Sequence, residues 1–201
     1  MAGMTDAAPT TPPPTAPTPA AAVLDAALDA ALALAADRPW SEISLRDIAR
    51  HAGLPFAELY ARAPGKRALL EHASQRLDAR ALATAEEDAP AAHDRLFEAT
   101  MARVEAMEPH RAVLIAIGRS EGLSLAHLLP RTARALLEAA GVDSSGWRGG
   151  ARVAAMTGVW GRTLQVWRDD EGALNRTMAE IDRRLKRADQ ALRRIGAGWS
   201  A

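Results

Sequence analysis

The residue types that most often carry out catalysis or bind metals form no recognisable pattern in this sequence. Cysteine is absent, which excludes disulfides, thiol catalysis and thiolate metal sites. The five histidines lack both a His-x-x-x-His pair and acidic residues at metal-binding spacing: His51, His72, His93, His110 and His127. Neither a Gly-x-Ser-x-Gly turn nor a phosphate-binding glycine loop is present. We therefore predict a non-enzymatic protein with no catalytic residues, metal or cofactor. A Ser-His-Asp triad can, however, assemble from residues far apart in the chain, and such a triad would leave no recognisable order in the sequence.

A pattern suited to binding lies between residues 44 and 61. Ser44 and Asp47 have the spacing of a capping box, which starts a helix. A helix-turn-helix needs a small residue such as Ala49, because a larger one would push the helices apart, and a residue such as Gly53 that accepts positive φ at the corner. The apolar residues that would lock the two helices together are Ile48, Leu54 and Leu59. The spacing predicts a helix-turn-helix, although any helical hairpin needs similar residues.

The elements that must position this corner are helical throughout. Apolar residues recur at helical spacing from Ala20 to about Asp37, again after Pro64-Gly65, and in two long C-terminal stretches near 147–169 and 172–194. Between residues 90 and 140 we expect three or four helices. Because no segment alternates with period two for long enough to form a strand, the predicted fold class is all-α, with about nine helices.

Composition bounds the chain at one or two modest domains. It has 201 residues, of which 48% are hydrophobic, with 25 basic and 25 acidic side chains, so any DNA contact must come from a local patch. The Pro-, Ala- and Thr-rich residues 1–19 are predicted to be a disordered tail. Neither a signal peptide nor an apolar stretch of roughly 18 residues is found. These features predict a cytoplasmic protein without stable membrane insertion.

The string LDAALALAADRPWSEISLRDIARHAGLPFAELYARAPGKRALL, residues 28–70, resembles the N-terminal domain of the TetR transcriptional repressors. The shared features are S-L-R-D-I-A-x-x-A-G, then L-Y, then G-K-x-x-L-L, in that order. In that family the second paired helix enters the major groove, a tyrosine reaches a phosphate, and a lysine beginning helix four grips the backbone. The resemblance implies these two roles for Tyr60 and Lys66. Further residues fall where the family meets DNA: Ser44, Arg46, Phe56, Ala57 and Glu58.

The sequence departs from this family at two places. Leu54-Pro55 stands where the family opens the recognition helix with Ser or Thr, and Ala61-Arg62-Ala63 stands where it has His-Phe. Two phosphate donors are thereby missing, and Arg62 can replace one of them as a point charge. Glu58 would be repelled by a phosphate and at best accepts from a cytosine amino group. Six basic and four acidic residues give residues 37–70 a charge of +2, which is a weak footprint for a DNA-binding domain.

Residues 157–192, TGVWGRTLQVWRDDEGALNRTMAEIDRRLKRADQAL, resemble the end of the ubiquinone-biosynthesis lipid-binding proteins. Those proteins have a TetR-like fold but no established DNA-binding role. The matching residues are Trp167, Asp169, Asp170, Thr177, Ile181, Asp182, Arg183 and Leu185. This second resemblance implies a bundle that holds an isoprenoid or another lipid.

Other predictions concern a ligand pocket and a dimer. The candidate pocket residues are Met101, Met156, Trp160 and Trp167, although such stripes are more often ordinary core. The predicted helix near 147–169 carries Met156, Trp160 and Trp167 on one side. On another side of this helix, small residues permit close approach of a second helix: Ala154, Gly158 and Gly161. The TetR resemblance implies a homodimer through the last two helices, which places two heads about one helical turn of DNA apart.

Two functions remain open from the sequence. The first is a ligand-responsive transcriptional regulator, a repressor whose homodimer binds a palindromic double-stranded DNA operator and responds to a small apolar effector or lipid. The alternative is a lipid- or isoprenoid-binding accessory protein of ubiquinone biosynthesis that does not bind DNA. The predicted domains are a helix-turn-helix head (20–66), a ligand-binding and dimerisation bundle (67–195) and a C-terminal tail (196–201).

Overall fold

The computed structural model describes residues 19–83, 91–170 and 173–200, and the regular secondary structure of those residues is entirely helical. The α-helices are α1 (Pro19–Asp37), α2 (Leu45–His51), α3 (Phe56–Arg62), α4 (Lys66–Ala83), α5 (Ala92–Glu105), α6 (Arg111–Glu121), α7 (Leu128–Ala139), α8 (Gly146–Arg168) and α9 (Asn175–Arg193). Three short 3-10 helices connect them: η1 (Trp40–Glu42), η2 (Glu108–His110) and η3 (Gly122–Leu125). The predicted all-α fold is confirmed. The predicted disordered tail lies outside the described residues, apart from Pro19, which begins α1.

The corner between α2 and α3 is closed by backbone hydrogen bonds. At the end of α2, the Leu54 N–H donates to the Ala49 carbonyl at 2.9 Å and the Gly53 N–H donates to the Arg50 carbonyl at 3.3 Å. This is the Schellman arrangement, which needs a left-handed residue at the glycine position. Gly53 has φ +66°, and Pro55 caps the start of α3. The chain therefore turns sharply within the four residues that separate the two helices.

The head is held together by a small core of its own. Buried residues of α1, η1, α2, α3 and α4 form one apolar cluster that also includes one residue of α6. The residues of this cluster that are almost entirely buried include Ala27, Ile43, Ile48, Ala49, Leu59 and Leu69. Ala49, which is 2% exposed, lies at the α2–α3 contact where a larger side chain would have no room. The small residue and the glycine thus act together, as the sequence pattern predicts.

A second and larger core fills the bundle formed by α5, α7, α8 and α9. Its fully buried residues include Leu96, Leu136, Leu137, Met156, Ile181 and Leu185. Helix α4 belongs to both cores, since Leu69 and Leu70 pack in the head and Ala81 packs in the bundle. The predicted domain boundary at residue 66 therefore falls at the start of a helix that the two cores share, and the division itself stays a prediction.

The segment 196–200, predicted as part of a tail, packs against α8 and α9. Trp199 is buried, its Nε1 donates to the Leu185 carbonyl at 3.2 Å, and its backbone N–H donates to the Asp189 carboxylate at 2.9 Å. The buried Arg152 of α8 donates to the carbonyls of Ala197 and Gly198. These contacts cover the end of the last two helices.

Among the described helices, none is by itself long and apolar enough to cross a membrane. One bent pair, residues 92–125 together with 128–139, meets the length and composition criteria only when its two parts are combined.

Substituting Gly53→Ala tests the corner. An added Cβ meets no atom within 4 Å, so the cost comes from the left-handed backbone alone. We expect the free energy of unfolding to fall by about 1–2 kcal/mol in urea titrations followed by circular dichroism. Gly65→Ala is the matched control, because its Cβ also meets open space while its φ is outside the left-handed region. Equal effects of the two substitutions would contradict the strain argument.

Candidate nucleic-acid interface

Helix α3 turns one face into the head and the other to solvent. Leu59 and the following Ala63 are fully buried, whereas Ala57, Tyr60 and Ala61 are exposed. Tyr60 is the most exposed large side chain of this helix, at 53%. Because a large aromatic side chain is seldom left this exposed in the absence of a partner, the outer face of α3 is a candidate contact surface.

Three predicted DNA-contacting side chains stack on one another across the corner. The Arg46 guanidinium of α2 lies 4.6 Å from the centre of the Phe56 ring, and the Phe56 and Tyr60 rings are tilted with their centres 5.8 Å apart. Phe56 is half-buried against the head core. The stack holds Arg46 beside α3, and the guanidinium keeps its N–H groups for a second partner because a cation–π contact uses only its face.

Glu58 and Arg62 neutralise each other on α3. The Arg62 Nη1 lies 3.4 Å from the Glu58 carboxylate and donates to the Glu58 backbone carbonyl at 3.1 Å. The pair reduces the repulsion that a lone Glu58 would exert on a phosphate. The pair engages Nη1 of Arg62 and compensates the charge of its guanidinium, so Arg62 is a weaker phosphate partner than an unpaired arginine would be.

Ser44 serves the start of α2. Its hydroxyl accepts from the Asp47 backbone N–H at 3.1 Å, and its own backbone N–H donates to the Asp47 carboxylate at 3.1 Å, which completes the predicted capping box. The hydrogen bonds from Ser44 hold the pKa of Asp47 below its usual value, with a smaller contribution from Arg50. Arg50 is exposed and pairs with the Asp47 carboxylate. Ser44 thus has a structural role, and a DNA contact by the same residue stays a prediction.

Lys66 points toward the head core. Its Nζ donates to the Trp40 carbonyl at 2.6 Å and lies 4.7 Å from the centre of the Trp40 ring. Burial lowers the pKa of Lys66, and the nearby Glu121 opposes that shift. The Trp40 Nε1 in turn donates to the Glu121 carboxylate at 3.0 Å. We call Trp40, Lys66 and Glu121 the clamp, because they join η1, the start of α4 and the end of α6.

The clamp changes how the predicted role of Lys66 is understood. The Lys66 ammonium donates to the Trp40 carbonyl, so it can contact a DNA phosphate only if that hydrogen bond breaks. Tyr60, in contrast, is exposed as predicted. The sequence does not predict the pairing of Trp40 with Glu121, which is 81 residues away. No local spacing indicates such a contact.

A cavity of about 350 Å³ lies between α4, α6, α7 and α8. Of the four predicted pocket residues, Trp160 and Trp167 line it, whereas Met101 and Met156 do not and are buried in the bundle core. Most of the wall is aliphatic and comes from residues that include Leu70, Leu77, Leu114, Ile115, Leu129 and Leu164. The volume falls within the range of small-ligand pockets, about 300–1,000 Å³.

The buried charge in this wall is Arg103 of α5, which the sequence analysis did not single out. The sequence spacing does indicate that Arg103 is buried. The four buried residues Leu96, Thr100, Arg103 and Met107 follow at steps of four, three and four, which places Arg103 on the buried face of its helix. Asp78 pairs with its Nε at 2.7 Å. Its guanidinium also lies 5.2 Å from the centre of the Trp160 ring.

The residues behind the second resemblance have structural roles. The Asp170 carboxylate accepts from the Thr177 backbone N–H at 2.7 Å and from the Thr177 hydroxyl at 2.8 Å, and so satisfies the start of α9. The Trp167 Nε1 donates to the Glu108 carboxylate at 2.5 Å. Local helix-end chemistry therefore accounts for this part of the motif without a lipid.

The small-residue side of α8 is partly uncovered. Ala154 and Gly158 are exposed, and an added Cβ at Gly158 would meet no atom within 4 Å. Gly161, in contrast, faces the Leu129 side chain, which would lie 3.9 Å from an added Cβ. Two of the three predicted small residues therefore remain open to a second helix.

The described residues contain no cluster of three or more His, Asp or Glu side chains that could hold a metal ion.

The head is similar to a known family of proteins. Residues 27–73 match the family model described as bacterial regulatory proteins, tetR family. No curated protein matches the sequence. A match to a family of regulatory proteins agrees with the prediction of a non-enzymatic function. The comparisons do not support the second resemblance, to the ubiquinone-biosynthesis proteins.

Three solved structures have a similar fold. The TetR transcriptional regulator from Nitrosomonas europaea is 24% identical with a TM-score of 0.67, and the match covers 83% of this chain and 98% of that one. A TetR regulator from Rhodococcus sp. RHA1 is 17% identical, with a TM-score of 0.64 and coverage of 83% and 95%. A tetR-family regulator from Streptomyces coelicolor is 19% identical, with a TM-score of 0.55 and coverage of 88% and 86%. At these identities the likeness shows the fold.

The clamp can be tested by a double-mutant cycle with Trp40→Phe and Glu121→Ala. Phenylalanine keeps an aromatic ring near Lys66 and removes the indole donor together with some buried ring volume, a loss that the cycle cancels because it occurs with and without Glu121. We expect a coupling in the free energy of unfolding of about 1.5–3 kcal/mol, the usual contribution of a hydrogen bond to a charged group. A pair of effects that simply add, within about 0.5 kcal/mol, would show that the two residues do not act together.

Proposed function

We propose that this protein is a DNA-binding transcriptional regulator, acting as a cytoplasmic repressor, because residues 27–73 match the family model of bacterial regulatory proteins, tetR family. The observation that carries the proposal is the exposed outer face of α3, with Tyr60 uncovered beside the Arg46–Phe56 stack. A helix that follows a tight corner and turns its free face outward has the geometry of a recognition helix in the major groove.

The exposed side chains divide into two kinds of contact. Arg46 and the Tyr60 hydroxyl suit phosphate oxygens, which position the protein without reading sequence. Ala57 is small and exposed, so it can approach a thymine methyl group in the major groove. The modest charge of the head places more of the affinity on these few contacts than is usual for a DNA-binding domain.

A ligand response is supported by the connection between the cavity and the head. Residues 114–119 of α6 contribute to the cavity wall, and two residues further on Glu121 bonds Trp40 in the head. A small apolar effector or lipid that shifts α6 would thereby move η1 and Lys66. Such a ligand changes DNA affinity only to the extent that it binds the two arrangements of the clamp unequally.

We further propose a homodimer through α8 and α9. The support is the uncovered side of α8 at Ala154 and Gly158, where helix backbones can approach closely. A two-fold dimer presents two α3 helices to a palindromic operator, with half-sites about 10 base pairs apart or a multiple of that.

The DNA contacts are tested with Tyr60→Phe and Arg46→Ala. Fluorescence anisotropy should follow binding to duplex DNA from the region flanking the gene and to an unrelated duplex of equal length. Tyr60→Phe should weaken binding to both about tenfold, because it removes one hydrogen bond to a charged acceptor. Arg46→Ala should reduce the slope of log affinity against log salt by about 1.

Arg131→Ala is the control for these variants, since Arg131 is exposed on α7, outside both the head and the two helices of the proposed dimer interface. It should leave both affinities unchanged. If the wild-type chain shows no salt-dependent DNA binding, the regulator proposal is wrong. If it binds DNA but neither head variant alters binding, the assigned contacts are wrong.

Gly158→Glu tests the dimer. In one subunit the new side chain enters open space and replaces a helix-destabilising residue, so the helix itself is not harmed. In the proposed interface it buries an unpaired charge, and sedimentation velocity should therefore show monomers. Ala61→Glu, which adds similar bulk and charge on the exposed face of α3, should leave the oligomeric state unchanged. A dimer that survives Gly158→Glu excludes this interface.

A further inference from the structure

The cavity has one buried charged group, Arg103, in an inner wall that is otherwise apolar except for two buried hydroxyl groups. Arg103 is 4% exposed, while the other charged residues that line the cavity, Arg119 and Arg168, are exposed and so lie at its mouth. Ser74 and Thr132 are the hydroxyl-bearing residues beside Arg103. The inner end therefore combines hydrogen-bond donors with aliphatic and indole surfaces.

The donors of Arg103 are only partly used. Its Nε donates to Asp78 at 2.7 Å, and its Nη2 makes a long contact of 3.5 Å with the Ser74 hydroxyl. The Arg103 Nη1 is buried and has no hydrogen-bond partner. Among the side-chain nitrogen and oxygen atoms of the described residues, it alone is buried without such a partner. A buried N–H without an acceptor is unfavourable, and a ligand oxygen at this position would satisfy it.

The charge at this end favours an uncharged acceptor. Asp78 and Arg103 form an ion pair whose side chains are 13% and 5% exposed, so together they are neutral. Asp78 does not line the cavity but is held by the Thr132 hydroxyl at 3.0 Å. A ligand carboxylate would leave one uncompensated negative charge next to Asp78 in a buried place, whereas a carbonyl oxygen accepts a hydrogen bond and leaves the pair neutral.

We propose that the cavity binds an uncharged apolar molecule that carries a carbonyl oxygen, such as a ketone, ester or lactone, and that Arg103 donates to that oxygen from Nη1. The aliphatic wall and the Trp160 ring would enclose the apolar body of the ligand. The proposal rests on the ligand response proposed above and specifies the chemical class of the ligand.

Three probes of nearly the same shape test the proposal: benzylacetone, which has a ketone; hydrocinnamate, in which a carboxylate replaces the methyl ketone; and isopentylbenzene, which has no acceptor. Calorimetric titration of the full chain in the absence of DNA gives each dissociation constant. Benzylacetone should bind more tightly than hydrocinnamate. Arg103→Lys keeps a cation for Asp78 but replaces the three guanidinium nitrogens with a single ammonium. It should weaken benzylacetone binding about tenfold while changing isopentylbenzene binding by less than about twofold.

Arg119→Ala is the matched control, because Arg119 lines the exposed mouth of the same cavity. It should leave the affinity for benzylacetone unchanged within about twofold. If Arg119→Ala weakens binding and Arg103→Lys does not, the carbonyl lies at the mouth and the proposal is wrong. Tighter binding of hydrocinnamate, equal losses for the ketone and the hydrocarbon, or no binding of benzylacetone by the wild-type chain would each overturn it as well.

A crystal structure of the wild-type chain with benzylacetone provides a readout that does not depend on the folding of a variant. The ketone oxygen should lie within hydrogen-bond distance of Arg103 Nη1, and a ketone oxygen directed to solvent would overturn the proposal. Because these measurements omit DNA, benzylacetone binding without DNA binding would contradict the regulator alone. DNA binding without benzylacetone binding would contradict the ligand class alone.

Discussion

The tight corner between α2 and α3 is the constraint on which the candidate interface depends. Two requirements coincide there: a backbone position with φ +66°, which glycine accepts, and a helix contact at Ala49 that leaves room for only a methyl group. Leu59 fills the core from α3 because of this corner, and Tyr60, the next residue, is therefore turned outward. Without the corner, the exposed side chains of α3 would have no fixed relation to Arg46 on α2.

Electrostatics in the head is local. Several charged side chains are occupied by neighbours on the same helix: Arg62 with Glu58, Arg50 with Asp47. Such exposed pairs contribute little to stability, typically under about 1 kcal/mol, but they cancel charge that a DNA-binding surface would otherwise display. Arg46 is different because its partner is the ring of Phe56, which leaves its charge uncompensated. A near-neutral head can therefore still offer a defined cation beside α3.

The helices and the corner could be predicted from the sequence because both depend on local spacing: capping residues, glycine and apolar periodicity. What could not be predicted depends on contacts between distant residues. Lys66 turns toward Trp40, which is itself held by Glu121, a residue 81 positions away. Trp199 belongs to a segment that looks like a tail, and it is buried through hydrogen bonds to Leu185 and Asp189 of α9. The cavity shows the same limit. Methionine and tryptophan at helical spacing indicate a buried face, but only the packing of four helices decides that Trp160 and Trp167 line a cavity while Met101 and Met156 fill the core.

Helix α6 connects the cavity to the clamp, because Leu114 and Ile115 line the cavity and Glu121, at the end of the same helix, accepts a hydrogen bond from Trp40. The unpaired Nη1 costs the empty protein about 1–3 kcal/mol, and an acceptor oxygen would recover that energy on binding. Energy recovered equally in every conformation changes nothing in the head, since a ligand shifts an equilibrium only by its differential affinity. In the proposed response, helix α6 would supply the difference: Leu114 and Ile115 line the cavity and the helix ends at Glu121, so a wall that closed on a ligand would also move the carboxylate that Trp40 holds. The proposed response would then be limited by how far α6 shifts before the Trp40–Glu121 hydrogen bond breaks, and a ligand too short to contact α6 would bind at Arg103 without changing the head.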